Sequence, residues 1–144
     1  MKIRTATGAD LAAVHGLECA AFGEHGYPDF FLRQAWDLWP GSLLVAEGES
    51  EPLGYVLAGR GEARNEGWIL SLAVAPAARG QGLGRQLLQA AVSALEGQGC
   101  ARIKLTVSPD NPALHLYQSL GFIEAGRETD YFGPGEPRLV MVRS

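Results

Sequence analysis

The chain predicts a mixed α/β sheet of seven strands and four helices, in the order β-α-α-β-β-β-α-β-α-β-β. Three observations carry that reading. Short apolar strand-like runs follow one another between residues 43 and 74. Four other segments repeat apolar residues at helical spacing, and each is closed by glycine or proline. Between the two kinds of pattern lies a glycine-rich turn, Arg79-Gly80-Gln81-Gly82-Leu83-Gly84, where a strand hands over to a helix.

Taken in order, Ile3 to Ala6 reads as a short strand. Thr7-Gly8-Ala9-Asp10 follows as a helix start, with a hydroxyl at the cap and a carboxylate three residues on. Leu11, Val14, Leu17, Ala21 and Phe22 then recur on one face up to Gly23. Residues 23–29 are a loop. Phe30 to Trp39 is a second helix, stopped by Pro40-Gly41. Leu43 to Glu47 and Gly54 to Gly59 form a hairpin across the polar GESEPLG turn. Trp68 to Val74 is apolar on both faces except at Ser71, which suits a strand in the middle of a sheet.

Beyond the glycine turn, Leu87, Leu88, Ala91, Val92 and Leu95 make Arg85 to Glu96 an amphipathic helix, ended by Gly97-Gln98-Gly99. Ala101 to Val107 alternates as a strand. Asn111 and Pro112 suit the cap and first position of a helix running to Leu120. Phe122 to Tyr131 and Pro137 to Arg143 are the last two strands, joined through FGPGE. No repeat or linker interrupts residues 1–144, so one domain is expected.

Bulk properties narrow the function. With 144 residues, 47% hydrophobic and 19% charged, the chain can build a core. A net charge of −4 argues against a nucleic-acid binder. No apolar run is long enough for a bilayer, and the N-terminus lacks a signal-peptide core, so a cytoplasmic protein is expected. Cys19 and Cys100 have no CxxC or metal-ligand spacing and read as buried free thiols. The three histidines (His15, His25, His115) are scattered, and no metal site is expected.

The glycine turn is a recipe for holding an anion. A helix start leaves backbone N–H groups unpaired at the positive end of its dipole. Glycines let a backbone approach a ligand closely. A P-loop needs Lys and a hydroxyl after the last glycine, but Arg85-Gln86 follows Gly84. The dinucleotide fingerprint needs a third glycine where Arg85 or Leu87 stands, and an acid about 20 residues on where Ile103-Lys104-Leu105-Thr106 is found.

What the turn does fit is a basic residue or Gln, two residues, Gly, one residue, then Gly or Ala. LSLAVAPAARGQGLGRQLLQAA and, about 30 residues on, NPALHLYQSLGF together resemble the GCN5-related N-acetyltransferase superfamily. The tail RETDYFGPGEPRLVM is loosely similar to the ribosomal-protein N-terminal alanine acetyltransferases. The resemblance implies a mostly antiparallel sheet, acetyl-CoA as donor and co-substrate, and a primary amine as acceptor (a protein N-terminus, a lysine or a small amine). Because many members pair, it also implies a possible homodimer. The alternative from another class is an acyl-CoA sensor without turnover.

Carried over residue by residue, the resemblance places the pyrophosphate on the amides of Gln81, Gly82, Leu83, Gly84 and Arg85, within the turn that begins at Gly80. Arg79 stands at the rim. The pantetheine arm would lie along Leu72, Ala73 and Val74, where one amide can stabilise the oxyanion of a tetrahedral intermediate. Tyr117 would protonate the departing thiolate. Asn111 lies six residues before Tyr117, where many relatives place a pantetheine-binding asparagine seven before; it can contact the coenzyme, cap the helix, or both.

The general base is the open point. Some relatives place a glutamate on the central strand or on the strand after the motif helix. Here those strands offer Ser71 and Thr106. Ser71 and Glu66 are candidates for base or relay, and a water path could lead to Glu18, Glu24, Glu66 or His25. The acceptor mouth is expected between residues 22–39 and the last hairpin, with Tyr27, Phe31 and Tyr131 lining it.

Overall fold

The structure is a computed structural model describing residues 2–144. Its elements are β1 (Ile3–Thr5), α1 (Leu11–Phe22), α2 (Asp29–Leu38), β2 (Leu43–Ala46), β3 (Gly54–Arg60), β4 (Glu66–Val74), α3 (Leu83–Gly97), β5 (Arg102–Val107), α4 (Ala113–Ser119), β6 (Ile123–Glu128) and β7 (Arg138–Arg143). All seven strands join one sheet in the order β1-β2-β3-β4-β5-β7-β6. β4 and β5 run parallel, and the other pairs are antiparallel. No helix among the described residues is long and apolar enough to cross a membrane.

Helices cover both faces, which is why β2 and β3 are buried on both sides and read as continuous apolar runs. On one face α3 buries Leu83, Leu87, Leu88, Ala91, Val92 and Leu95 against Val56, Ile69, Leu105 and Met141, joined by Tyr117 and Phe122. On the other, Val14 of α1 and Leu32 and Ala35 of α2 pack on Leu43, Val45, Tyr55, Leu57 and Ala73. Each large side chain so buried contributes about 1.5–3 kcal/mol.

The start of α1 is tied by Asp10. Its carboxylate accepts the Thr7 N–H at 2.7 Å and two guanidinium bonds from Arg4 at 2.7 and 3.1 Å. The Arg4 hydrogen bond is the main reason its carboxyl sits at about 2. α1 ends at Gly23, whose φ of 58° suits glycine.

Three expectations need correction. α3 starts at Leu83 rather than Arg85, so the glycine turn includes the helix's first residues. β6 stops at Glu128, short of Tyr131. There the Asp130 carboxylate accepts the Gly135 N–H at 3.0 Å and the Tyr131 N–H bonds the Glu136 carbonyl at 3.1 Å, which turns the chain. Cys100 is buried, but Cys19 is exposed, with Sγ 3.4 Å from His15 Nε2. The inward place on that turn of α1 is taken by Glu18 instead.

Candidate active site

The site begins with a fault in the central strand. β4 pairs with β3 from Glu66 to Val74, but the register slips so that Leu57 faces Ser71 while Ala58 faces Ile69. Leu70 is therefore a β-bulge, the device that bends a strand and re-aims its side chains. Pairing with β5 stops there too: the last partners are Ile69 and Leu105. Beyond the bulge, β4 and β5 part, leaving Leu70–Val74 on one side and Thr106 and Val107 on the other.

Backbone direction past the bulge follows from one bond. The Ala75 N–H meets the Leu53 carbonyl at 2.8 Å. Alternation along an antiparallel pair then turns Ser71 and Ala73 towards β3, and Leu72 and Val74 towards the gap left by β5. The Leu72 and Val74 amides thus face the gap, whereas the Ala73 amide, also expected to serve a ligand, is turned into the sheet.

At the end of the gap lies the cradle. Gly80 and Gly82 have φ of 79° and 78°, a conformation that strains other residues. A Cβ at either would meet no protein atom within 4 Å, so the space beside them is open. The first hydrogen bond of α3 runs from the Gln86 N–H to the Gly82 carbonyl, leaving the Leu83, Gly84 and Arg85 amides free at the helix start. Arg79 is partly committed, its Nε donating to the Val74 carbonyl at 3.1 Å. Arg85 reaches Ser119 Oγ at 2.8 Å and so fixes α4 beside α3.

Tyr117 projects from α4 into the apolar cluster beside the gap, edge-on to Phe122 with centroids 6.0 Å apart. Burial pushes its phenol up to about 12, slightly opposed by Arg138, so it is protonated at neutral pH. Its hydroxyl bonds to no other described side chain. Asn111 caps α4: its Oδ1 accepts the Ala113 N–H at 2.9 Å, and its side-chain NH₂ remains free.

On the opposite face of the sheet stands a buried carboxylate. Glu18 of α1 is 2% exposed. One of its oxygens, Oε1, accepts the Ser71 hydroxyl at 2.6 Å and also accepts the Tyr55 hydroxyl. The other, Oε2, accepts the Tyr27 N–H at 2.9 Å. No Lys, Arg or His among the described residues forms an ion pair with it. Burial first, then the Glu18 charge, raise the phenols of both Tyr55 and Tyr27.

Tyr27 stacks on Phe31 at 4.5 Å. Across the mouth, Tyr131 meets Phe132 edge-on at 4.8 Å, with the Arg138 guanidinium 4.9 Å over the Phe132 ring. Arg138 and Tyr131 both act on the Tyr27 phenol, which brings the last hairpin to the loop between α1 and α2.

The model of the acetyltransferase (GNAT) family matches residues 11–122. The chain belongs to this family. It is 31% identical to an uncharacterized N-acetyltransferase of Methanocaldococcus jannaschii, over 99% of this chain and 91% of the relative. An N-alpha-acetyltransferase of Sulfurisphaera tokodaii is 29% identical, over 97% and 90%. Among solved structures, a ribosomal-protein-alanine N-acetyltransferase from Brucella melitensis superposes with a TM-score of 0.84 at 27% identity, covering 99% of each chain. The sheet and helices are thus those of a GNAT acetyltransferase.

Within this GNAT chain, Leu72 and Val74 face the gap and Gly80–Arg85 lie at its end; a Cβ on Gly84 would stand 3.9 Å from Val74 and 3.5 Å from Leu116, on the helix that carries Tyr117. Tyr27 and Phe31 stack, and Tyr131 is near enough for its charge to act on the Tyr27 phenol. Glu66 does not belong with them. It lies at the far end of β4, about 13 Å of strand before Leu70, in an ion pair with Lys104 at 3.3 Å. Ser71 is present but its hydroxyl is already donated. Sequence reasoning underweighted Glu18 and missed Tyr55. The signal was available: Glu18 stands four residues after Val14 and four before Phe22, inside the inward stripe of α1.

Proposed function

We propose that this protein is a cytoplasmic N-acetyltransferase that moves an acetyl group from acetyl-CoA to a primary amine by direct attack, and that the acceptor is a peptide N-terminus. The observation that carries it is the gap between β4 and β5, which opens at one end on a cradle of free amides and at the other on an aromatic mouth. Two free thiols, Cys19 and Cys100, suit a reducing compartment. The named activities of the relatives favour N-termini among amines.

The residues present fit the donor. Gly80 and Gly82 leave the cradle open, and the amides of Leu83, Gly84 and Arg85 supply donors at a positive helix end for a pyrophosphate. Arg79 adds charge at the rim, and the Asn111 NH₂, not used in the cap, is available to donate to pantetheine. Acetyl-CoA supplies the acetyl thioester. The Leu72 or Val74 amide, facing the gap, stabilises charge on the thioester oxygen. As the amine nitrogen bonds the carbonyl carbon, the C–S bond breaks and the thiolate leaves with the electron pair. Tyr117, kept protonated, gives that sulfur its proton, and the nitrogen, cationic once bonded, releases one proton that restores the Tyr117 phenol through solvent. Among the described residues no serine or cysteine is placed as an acyl carrier, which favours a ternary complex.

The test is a screen for free thiol released from acetyl-CoA by peptides with Ala, Ser or Met N-termini and by small amines. Peptide-dependent thiol release, with acetylated peptide in the mass spectrum, is expected. Tight acetyl-CoA binding with no thiol from any amine overturns the proposal.

A further inference from the structure

The buried Glu18 carboxylate has no counter-ion, and that is unusual. A charge taken out of water is normally paired. Here three hydrogen bonds, from Tyr55, Ser71 and the Tyr27 backbone, satisfy the oxygens but leave the negative charge unbalanced. The network spans α1, β3, β4 and the loop before α2, so it is a built feature rather than a side chain folded in by chance. It also sits beside the reacting strand: Ser71 adjoins Leu72, whose amide faces the gap. The bulge at Leu70 puts Ser71 on the α1 face and within reach of Glu18.

We propose that Glu18, acting through the Ser71 hydroxyl, is the counter-ion and proton acceptor for the ammonium form of the acceptor. This rests on the acetyl-transfer reading above. An acceptor amine is mostly protonated at neutral pH and cannot attack until it loses a proton. The ammonium gives one proton to Ser71 Oγ while Ser71 gives its own to Glu18. Two bonds to hydrogen break and two form. The amine becomes neutral, serine is unchanged and Glu18 becomes a carboxylic acid. The negative charge that lacked a partner is thereby cancelled by the substrate itself. Tyr55 and Tyr27 hold the carboxylate in place.

The ionisable groups facing Glu18 are few. Tyr55 approaches from β3 and Tyr27 from the loop, and both phenols are raised, so both remain neutral and cannot take the proton. Arg138 acts on Tyr27 from β7, and Tyr131 from the hairpin. His15 and Cys19 share α1, bonded to one another rather than to Glu18. The α2 residues packed on this cluster, Leu32, Ala35 and Trp36, are uncharged. Glu18 is thus a positioning and proton-storing residue, and Ser71 is the group that meets the acceptor.

The experiment is the pH profile of kcat/KM for wild type, Glu18→Gln and Ser71→Ala. The acceptor is whichever of the alanyl, seryl or methionyl peptides serves wild type best. Acetyl-CoA affinity and Tm are measured in parallel. Wild type takes the ammonium, so its profile stays level below the pKa of an α-amine, about 7.7–8.0. Either variant must wait for free amine. Its kcat/KM should rise about tenfold per pH unit, from roughly 100-fold below wild type two units under that pKa to within a few-fold of it near pH 9.

A loss equal at every pH, or none, overturns the assignment and leaves a structural carboxylate. A Ser71→Ala profile like wild type, with Glu18→Gln altered, removes the relay and overturns it as stated. Should Glu18→Gln fail to fold, Ser71→Ala alone decides. Wild type that binds acetyl-CoA but releases no thiol with any acceptor overturns the parent reading instead.

Discussion

The proposed donor half and the proposed acceptor half of the site are built in opposite ways. The donor half is nearly one uninterrupted stretch, Leu72 to Arg85, plus Asn111 just before the next helix and Tyr117 on it. Its chemistry is mostly backbone: amides freed by a bulge, by two positive-φ glycines and by a helix start. The acceptor half is assembled from remote segments, with Glu18, Tyr27, Tyr55, Ser71, Tyr131 and Arg138 coming from six places in the chain. Its chemistry is side-chain charge and aromatic surface. A donor common to a whole family can be held by a fixed local turn. An acceptor that differs from member to member is held by side chains that tertiary packing brings together.

If the halves are separable, substitutions should divide cleanly between them. The largest effect is expected at the cradle. Gly82→Glu adds a negative charge and forces a φ of 78° on a residue with a side chain. Calorimetry should show acetyl-CoA affinity falling by about 100-fold or more, since about 2.7 kcal/mol of lost interaction suffices. Far-UV circular dichroism should be unchanged. A similar loss of acetyl-CoA affinity in Glu18→Gln would break the division.

Next is Tyr117→Phe, which keeps the packing on Phe122 and removes the proton donor. Its kcat should fall roughly 100-fold, within the usual range for one general acid, with acetyl-CoA affinity kept within a few-fold. Unchanged turnover would remove Tyr117 from the chemistry and leave it as core.

A smaller effect is expected at the start of α1, which carries Glu18. Asp10 is held at about 2 against an ordinary 3.8. Its depressed folded value means that the stability it contributes is present above about 4 and is lost as pH falls towards 2. Arg4 is partly exposed, so Asp10→Asn should cost about 1–2 kcal/mol at pH 7 and almost nothing at pH 2. Denaturant unfolding at the two pH values checks this. An equal cost at both would assign the effect to the cap alone.

The smallest effect is expected at Glu66. Its pair with Lys104 is partly exposed and lies away from the gap. Glu66→Gln should change stability by less than about 1 kcal/mol and leave kcat/KM within about twofold. A large loss of activity would return it to the site.

The same contrast explains what was legible in the sequence. Strand order and helix order could be read because apolar periodicity is local, and the cradle because a turn needing positive φ must spell glycine. Tyr117 came with its helix. The Leu70 bulge could not be read, since one extra residue leaves no mark in an apolar run such as Trp68 to Val74. Without the bulge, neither the parting of β4 from β5 nor the contact between Ser71 and Glu18 could be deduced. Glu66 looked eligible because sequence distance hid the length of strand between it and the gap. Cys19 looked buried by residue type, but Glu18 held the inward position.

Direct transfer between the two halves can be tested in one rapid-mixing measurement of thiol release, with enzyme in excess of acetyl-CoA, with and without acceptor peptide. The expected result is no thiol until peptide is present, then one thiol for each acetylated peptide. A burst of thiol without peptide, equal to the acetyl-CoA added and leaving an acetylated protein, would contradict direct attack. It would place a covalent step where the structure shows only a hydrogen-bonded serine and a free phenol.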